Sequence, residues 1–203
     1  MTGRHLRHFL PQLLRALAGV FIIDIAGTPV VAVATETVGP IEISIPKGFV
    51  QAQSQHQGAL EVSAWTRSTP TGTTKSLLQV TIYDFGSQLD GASPQDLAKG
   101  SEKYLREYLS GVEHRRTDYL LSQIEHLKLA GLPAARATWT GRVDGTPSVG
   151  VMYCVIVQKQ FVVSFHTQDL GNAPTDAMRQ AMKSIEAVRI TAPHLPSAGD
   201  SAR

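Results

Sequence analysis

Residues 149–157 read Val-Gly-Val-Met-Tyr-Cys-Val-Ile-Val, nine positions without a charge. A strand that faces water on one side alternates apolar with polar residues, whereas a strand apolar at every position has to be covered on both faces. This segment therefore predicts a central strand, and it requires packing layers above and below the sheet that contains it.

The neighbouring patterns supply the rest of that sheet. Ile41, Ile43 and Ile45 alternate with Glu42 and Ser44, and Pro46-Lys47-Gly48 reads as the turn that ends the strand. Residues 35–40 read as a linker, and residues 51–58 as a polar loop. Leu60, Val62, Ala64 and Thr66 alternate with Glu61, Ser63, Trp65 and Arg67 as a second strand, and residues 77–83 form a third. The polar run at 69–74 between them reads as a flexible connection.

Ser93-Pro94-Gln95-Asp96 opens a helix, with Ser93 as cap, Pro94 at the first helical position and Asp96 where a capping-box acid belongs. Leu97, Ser101, Tyr104, Leu105, Tyr108 and Val112 form its buried face, and Gly111 is its expected stop. Residues 120–129 read as extended and Gly131-Leu132-Pro133 as a turn or bulge. Ala135, Ala137, Trp139 and Val143 form the apolar side of another strand. Asp144-Gly145 is a hairpin signal leading into the central run, and Gln158-Lys159-Gln160 turns that run into residues 161–168. A second helix, residues 175–188, carries Met178, Ala181, Met182, Ile185 and Val188 as one stripe.

The order is three strands, a helix, about four strands and a closing helix. It predicts an α+β fold: an antiparallel sheet of about six to seven strands with helices packed on both faces, an α/β/α sandwich. One domain spans 41–190, and residues 191–203 read as a disordered tail.

Residues 1–34 have the order of a secretory leader: Arg4, Arg7 and Arg15, an apolar stretch over 16–23, and Ala32-Val33-Ala34 as a small-x-small site. Asp24 interrupts the apolar run, so an uncleaved N-terminal anchor and a cytosolic amphipathic extension stand as the other readings. Beyond this segment the chain holds 16 basic and 16 acidic residues, so the net charge of +2 belongs to the leader. A neutral domain has no bulk attraction for nucleic acid or an anionic membrane, and only residues 1–34, if uncleaved, would touch a membrane. Cys154 is the single cysteine, so no intramolecular disulfide is possible.

An opening strand ending in IPKGF, the capped helix after the third strand, the LAGLPAARATW segment, two hairpins and a last helix finishing in AMKSIEAVRI together resemble the PsbP/DcrB-like superfamily. That group includes the extrinsic PsbP proteins of photosystem II and small exported bacterial envelope proteins of unknown role. The resemblance covers roughly 41–190 and brings no catalytic motif. It implies an antiparallel sheet between helices and a non-enzymatic exported domain that binds or steadies a larger assembly.

The residue types that carry chemistry are sparse. Cys154 with His126 or His166 would suit a nucleophile pair, but a cysteine in so apolar a run is expected to be buried and inert. His126, His166 and a carboxylate, Glu125 or Asp169, would suit zinc if their strands are neighbours. Asp84 and Asp90, around Gly86 and Gly91, fall short of a calcium loop. His114-Arg115-Arg116 follows the first helix, where an anion site competes with simple complementation of the helix dipole. Trp139 lies on an apolar face and is expected in the core. Trp65 lies on a polar face, as an exposed binding anchor or beneath a covering helix. No catalytic residue, metal or cofactor is expected. The reading is a periplasmic or secreted domain that binds a partner protein or envelope component, the alternatives being a small-ligand binder with a cleft between helix and sheet or a hydrolase whose site is scattered in sequence.

Overall fold

The computed structural model describes residues 34–68 and 75–191. All but the last residue of the leader, the 69–74 connection and the tail from 192 onward lie outside the described residues.

The strands, in chain order, are β1 (Ala34–Val38), β2 (Ile41–Ile45), β3 (Val50–Gln57), β4 (Leu60–Ser68), β5 (Lys75–Asp84), β6 (Thr117–Leu121), β7 (Glu125–Leu129), β8 (Leu132–Val143), β9 (Thr146–Val157), β10 (Phe161–Leu170) and β11 (Arg189–Ile190). Helix α1 (Pro94–Glu113) joins β5 to β6, and α2 (Asp176–Glu186) follows β10. Eight strands form one antiparallel sheet in the order β3-β4-β5-β10-β9-β8-β6, with β7 beside β6 on β8. A separate three-stranded sheet runs β1-β2-β11.

The apolar run is the interior strand it had to be. Val151, Tyr153, Val155 and Val157 pack in one core cluster with Met178, Ala181 and Ile185 of α2. Met152, Cys154 and Ile156 pack in another with Tyr104, Leu105, Tyr108 and Leu109 of α1. Alternation along β9 thus divides its side chains between the two faces. The layers differ from the expected sandwich, however. One face carries α1, while the other is shared by α2 and the small sheet, whose Val38, Ile41, Ile43 and Ile45 belong to the same core as α2. The two sides are a helix and a mixed helix-and-sheet layer.

The strand count also exceeds the expected six to seven. Residues 51–58 are not a loop: β3 occupies 50–57 and pairs along its length with β4. None of its residues is buried, so it lacks the apolar alternation that marks a half-buried strand. Residues 35–40 are not a linker either, because β1 pairs with β2 from Ala34 to Val38. The 120–129 stretch falls in two short strands on β8, separated at Ser122, whose N–H donates to Thr138 O at 2.9 Å while its Oγ, in place of a backbone carbonyl, accepts from Thr138 N at 3.0 Å.

The caps follow the sequence. Ser93 Oγ accepts from Asp96 N at 3.2 Å, and Asp96 Oδ2 accepts from Ser93 N at 3.1 Å, a capping box of the kind that adds about 1 kcal/mol. Gly111 does not stop α1. It is buried within the helix, which continues to Glu113 and caps at His114. Asp144 and Gly145 both take positive φ, 48° and 75°, as the predicted two-residue hairpin turn requires.

Candidate functional site

The sequence candidates disperse. β8 and β9 lie between β7 and β10, so at a strand spacing near 4.8 Å His126 and His166 stand about 14 Å apart across the sheet. His126 is exposed, with Nε2 3.3 Å from Glu102 Oε2 on α1. Glu125 pairs instead with Arg136. Asp169 is three residues from His166 on a regular strand and therefore projects from the opposite face. There its Oδ2 accepts the backbone N–H of Thr175, at 2.6 Å, just before α2. Among the described residues no group of three metal-ligating side chains converges. Asp84 Oδ1 already takes the N–H of Gly86 at 2.7 Å and the amide of Gln160 at 3.0 Å.

Trp65 is not an exposed anchor. It is 3% exposed and packs in the core shared with α2 and the small sheet, opposite Leu78 of β5. The basic group after α1 is likewise spent on the helix end. His114 Nδ1 lies 2.6 Å from Ser110 O, and Arg116 Nη1 donates to Val112 O at 3.0 Å. These contacts place positive charge and ring nitrogen against the carbonyl pole of the helix.

What the structure does assemble is a polar patch on the α1 face of β5 and β10. Gln79 stands opposite His166, and Thr81 opposite Ser164. All four are buried, and Gln79 Nε2 donates to Thr81 Oγ1 at 2.9 Å. His166 leads on to Trp139, with ring centroids 5.8 Å apart. Trp139 in turn carries the Arg116 guanidinium 4.1 Å from its ring centroid, and Arg116 Nη2 donates to Gln168 Oε1 at 2.6 Å. Among the described residues, Gln79 Oε1, His166 Nε2, Trp139 Nε1 and the Tyr108 hydroxyl, all buried here, have no hydrogen-bond partner. Each such group costs the fold on the order of 1–3 kcal/mol.

His166, Tyr108 and Cys154 are held uncharged on this face. Burial, together with the Arg116 charge, lowers the pKa of His166 to about 3. Burial pushes the Tyr108 hydroxyl far above its ordinary range, and it does the same to the Cys154 thiol. Cys154 and His166 do lie on adjacent strands and on one face, with Ser164 opposite the cysteine and Met152 opposite the histidine. Near neutral pH that pair offers a thiol rather than a thiolate and an imidazole too weakly basic to take its proton. Arg116, partly buried, is lowered to about 10 by desolvation and keeps its charge.

No sequence signal separated this patch from an ordinary solvent face. Gln79, Thr81, Ser164 and His166 alternate with apolar residues as the outer face of a half-buried strand would. Only the arrangement of β5, β10 and α1 reveals them as interior.

Apolar side chains surface elsewhere. Among the described residues the exposed large hydrophobic side chains are Val50 on β3 and Leu120 and Leu121 on β6, the latter two 71% and 41% exposed. Both strands end the main sheet. Among the described residues no helix is long and apolar enough to cross a membrane.

No family model and no curated protein sequence matches the chain. Among solved structures it is similar to the cyanobacterial PsbP of a Synechocystis species, at 8% identity, with 83% of this chain and 98% of that one covered and a TM-score of 0.55. It is also similar to LpqN of Mycobacterium tuberculosis, described as involved in cell envelope biogenesis, at 15% identity, with 75% and 83% covered and a TM-score of 0.49. The chain has a PsbP-like fold, as the resemblance of its turn and helix segments implied.

Proposed function

We propose that this chain is an exported, non-catalytic domain that binds a partner protein or an envelope component through the β6 end of its main sheet. One observation carries the reading. The groups able to do chemistry, Cys154 and His166, are sealed and uncharged within the α1 face, while adjacent leucines, Leu120 and Leu121, stand exposed on a terminal strand. Exposed leucines at the end of a sheet offer side-chain contact area to a partner without strand pairing. The basic-apolar-small order of residues 1–34 supplies the export half of the proposal.

Two measurements test it together. N-terminal sequencing of protein recovered from the periplasm or medium should begin near residue 35, and an intact Met1 on soluble cytoplasmic protein would remove export. Affinity capture from the envelope fraction should recover a partner with the wild-type chain and lose it with Leu120→Lys. Retention of the same partner by that variant would move the binding surface away from β6.

A further inference from the structure

The two ends of the main sheet are built differently. At one end, β6 and β7 are five residues each, a register shift falls between Thr117 and Leu120, and Asp118, Glu125 and Lys128 supply charge. Short broken strands, bulges and charges are how proteins prevent edge-to-edge pairing. At the other end, β3 runs for eight residues, Val-Gln-Ala-Gln-Ser-Gln-His-Gln, without Asp, Glu, Lys, Arg or Pro. Its only irregularity lies between Gln51 and Gln53. Among the described residues its sole strand partner is β4.

We propose that β3 is a pairing edge for a second copy of this chain. Two β3 strands align antiparallel about a two-fold axis through Gln55, joining the two main sheets edge to edge. The glutamines specify both the partner and the register. Gln53 Nε2 donates to Gln55 Oε1 at 3.2 Å, and Gln55 Nε2 donates to Gln57 Oε1 at 3.4 Å. The ladder therefore runs in one direction, with an amide oxygen at its Gln53 end and an amide N–H₂ at its Gln57 end. An antiparallel copy centred on Gln55 sets Gln53 opposite the second copy's Gln57, so the accepting end of each ladder meets the donating end of the other. On the alternate face the same register sets Ser54 opposite His56. No like charges oppose each other anywhere in the pairing, and each copy presents the same patch to the other, as a closed two-fold dimer requires. The inference is independent of export and of any partner at β6.

Sedimentation of the full chain over a concentration series reads the result. The wild type should show a reversible monomer–dimer equilibrium. Gln55→Lys places two cations opposite each other on the axis and should weaken association by at least about tenfold, as should Gln55→Glu. Mixing the two variants should restore a dimer containing one of each. Leu120→Lys, at the guarded end, should leave self-association unchanged, and at protein concentrations where the wild type is monomeric all the variants should unfold at the wild-type urea concentration, because the positions are exposed. A wild type that stays monomeric throughout the series would overturn the proposal. So would a dimer that survives Gln55→Lys, or a mixture of the two charged variants that fails to pair. Capture of another protein's strand on β3 in place of a second copy would also overturn it.

Discussion

Trp139 of β8 lies over Gly150, its direct cross-strand partner on β9: a Cβ added to Gly150 would overlap Trp139 Cζ2 and Cε2. The Arg116 guanidinium lies over the same ring, 4.1 Å from its centroid. The indole thus packs against a backbone that must lack a side chain and against a cation anchored to the last turn of α1. Through this stack the end of α1 is fastened to the sheet.

Gly150→Ala should accordingly destabilise the protein, by about 1–3 kcal/mol, the usual effect of overpacking a filled core. The ring cannot yield toward Arg116 without breaking the contacts to Val112 and Gln168. Urea unfolding measures the loss, and near-ultraviolet circular dichroism should register the displaced tryptophan. An unchanged midpoint would show that the indole has room to move.

His166 should make stability depend on pH. Its pKa falls from 6.5 to about 3 on folding, through burial first and the Arg116 charge second. Above pH 6.5 the imidazole is neutral in both states, and the preference for the neutral form is fully satisfied. As the pH falls below 6.5, the unfolded chain takes up a proton that the fold refuses. Stability then drops by about 1.4 kcal/mol per pH unit, or about 2 kcal/mol in all by about pH 5. His166→Gln removes this contribution and leaves the carboxylates as they were, so its stability should fall less over the same range. Parallel curves for the two proteins would show that His166 accepts its proton within the fold.

The residues that made the fold legible were those whose local chemistry allows one answer. The run at 149–157 could only be covered twice, and Ser93 and Asp96 could only begin a helix. β3 and β1 were illegible because strand reading depends on an apolar face, and β3 has no buried residue while β1 buries only Val38. Their backbones are ordered by the hydrogen bonds of the neighbouring strand, which leaves no mark on their own side chains. The polar patch was illegible for the opposite reason. Gln79 and His166 follow a pattern that ordinarily means solvent, and α1, which flanks them on that face, is remote from both in sequence. Trp65 was left open between an exposed anchor and a covered position by the same logic, and the layer that holds α2 and the small sheet decides for the covered one.

Cys154 should resist thiol reagents in the native state. It is fully buried between β8, β10 and α1, and burial holds the thiol protonated through the whole neutral range. Labelling should proceed only as fast as the fold opens and become immediate in denaturant. Rapid native labelling would show an accessible thiolate and return the Cys154–His166 pair to consideration as a reactive centre.

The closing helix offers the sharpest test of the second face. Ile185 is fully buried among Met178, Ala181 and the side chains of β2, β5, β9 and β10, whereas Lys183 points to solvent. Ile185→Ala removes buried methyl groups at the junction of α2, the small sheet and the main sheet, and should cost about 2–5 kcal/mol. That is a large share of a total stability near 5–15 kcal/mol. Lys183→Ala should cost less than about 0.5 kcal/mol, since its side chain is exposed and the carbonyl that accepts from the cap residue Ala187 is kept. Because the small sheet shares this core, the Ile185 variant should also lose protection of the β2 amides from hydrogen exchange, which a helix docked on the main sheet alone would leave untouched. Equal unfolding midpoints for the two variants would mean that α2 is not held by its apolar stripe. A normal midpoint for Ile185→Ala with β2 protection intact would separate the small sheet from this core.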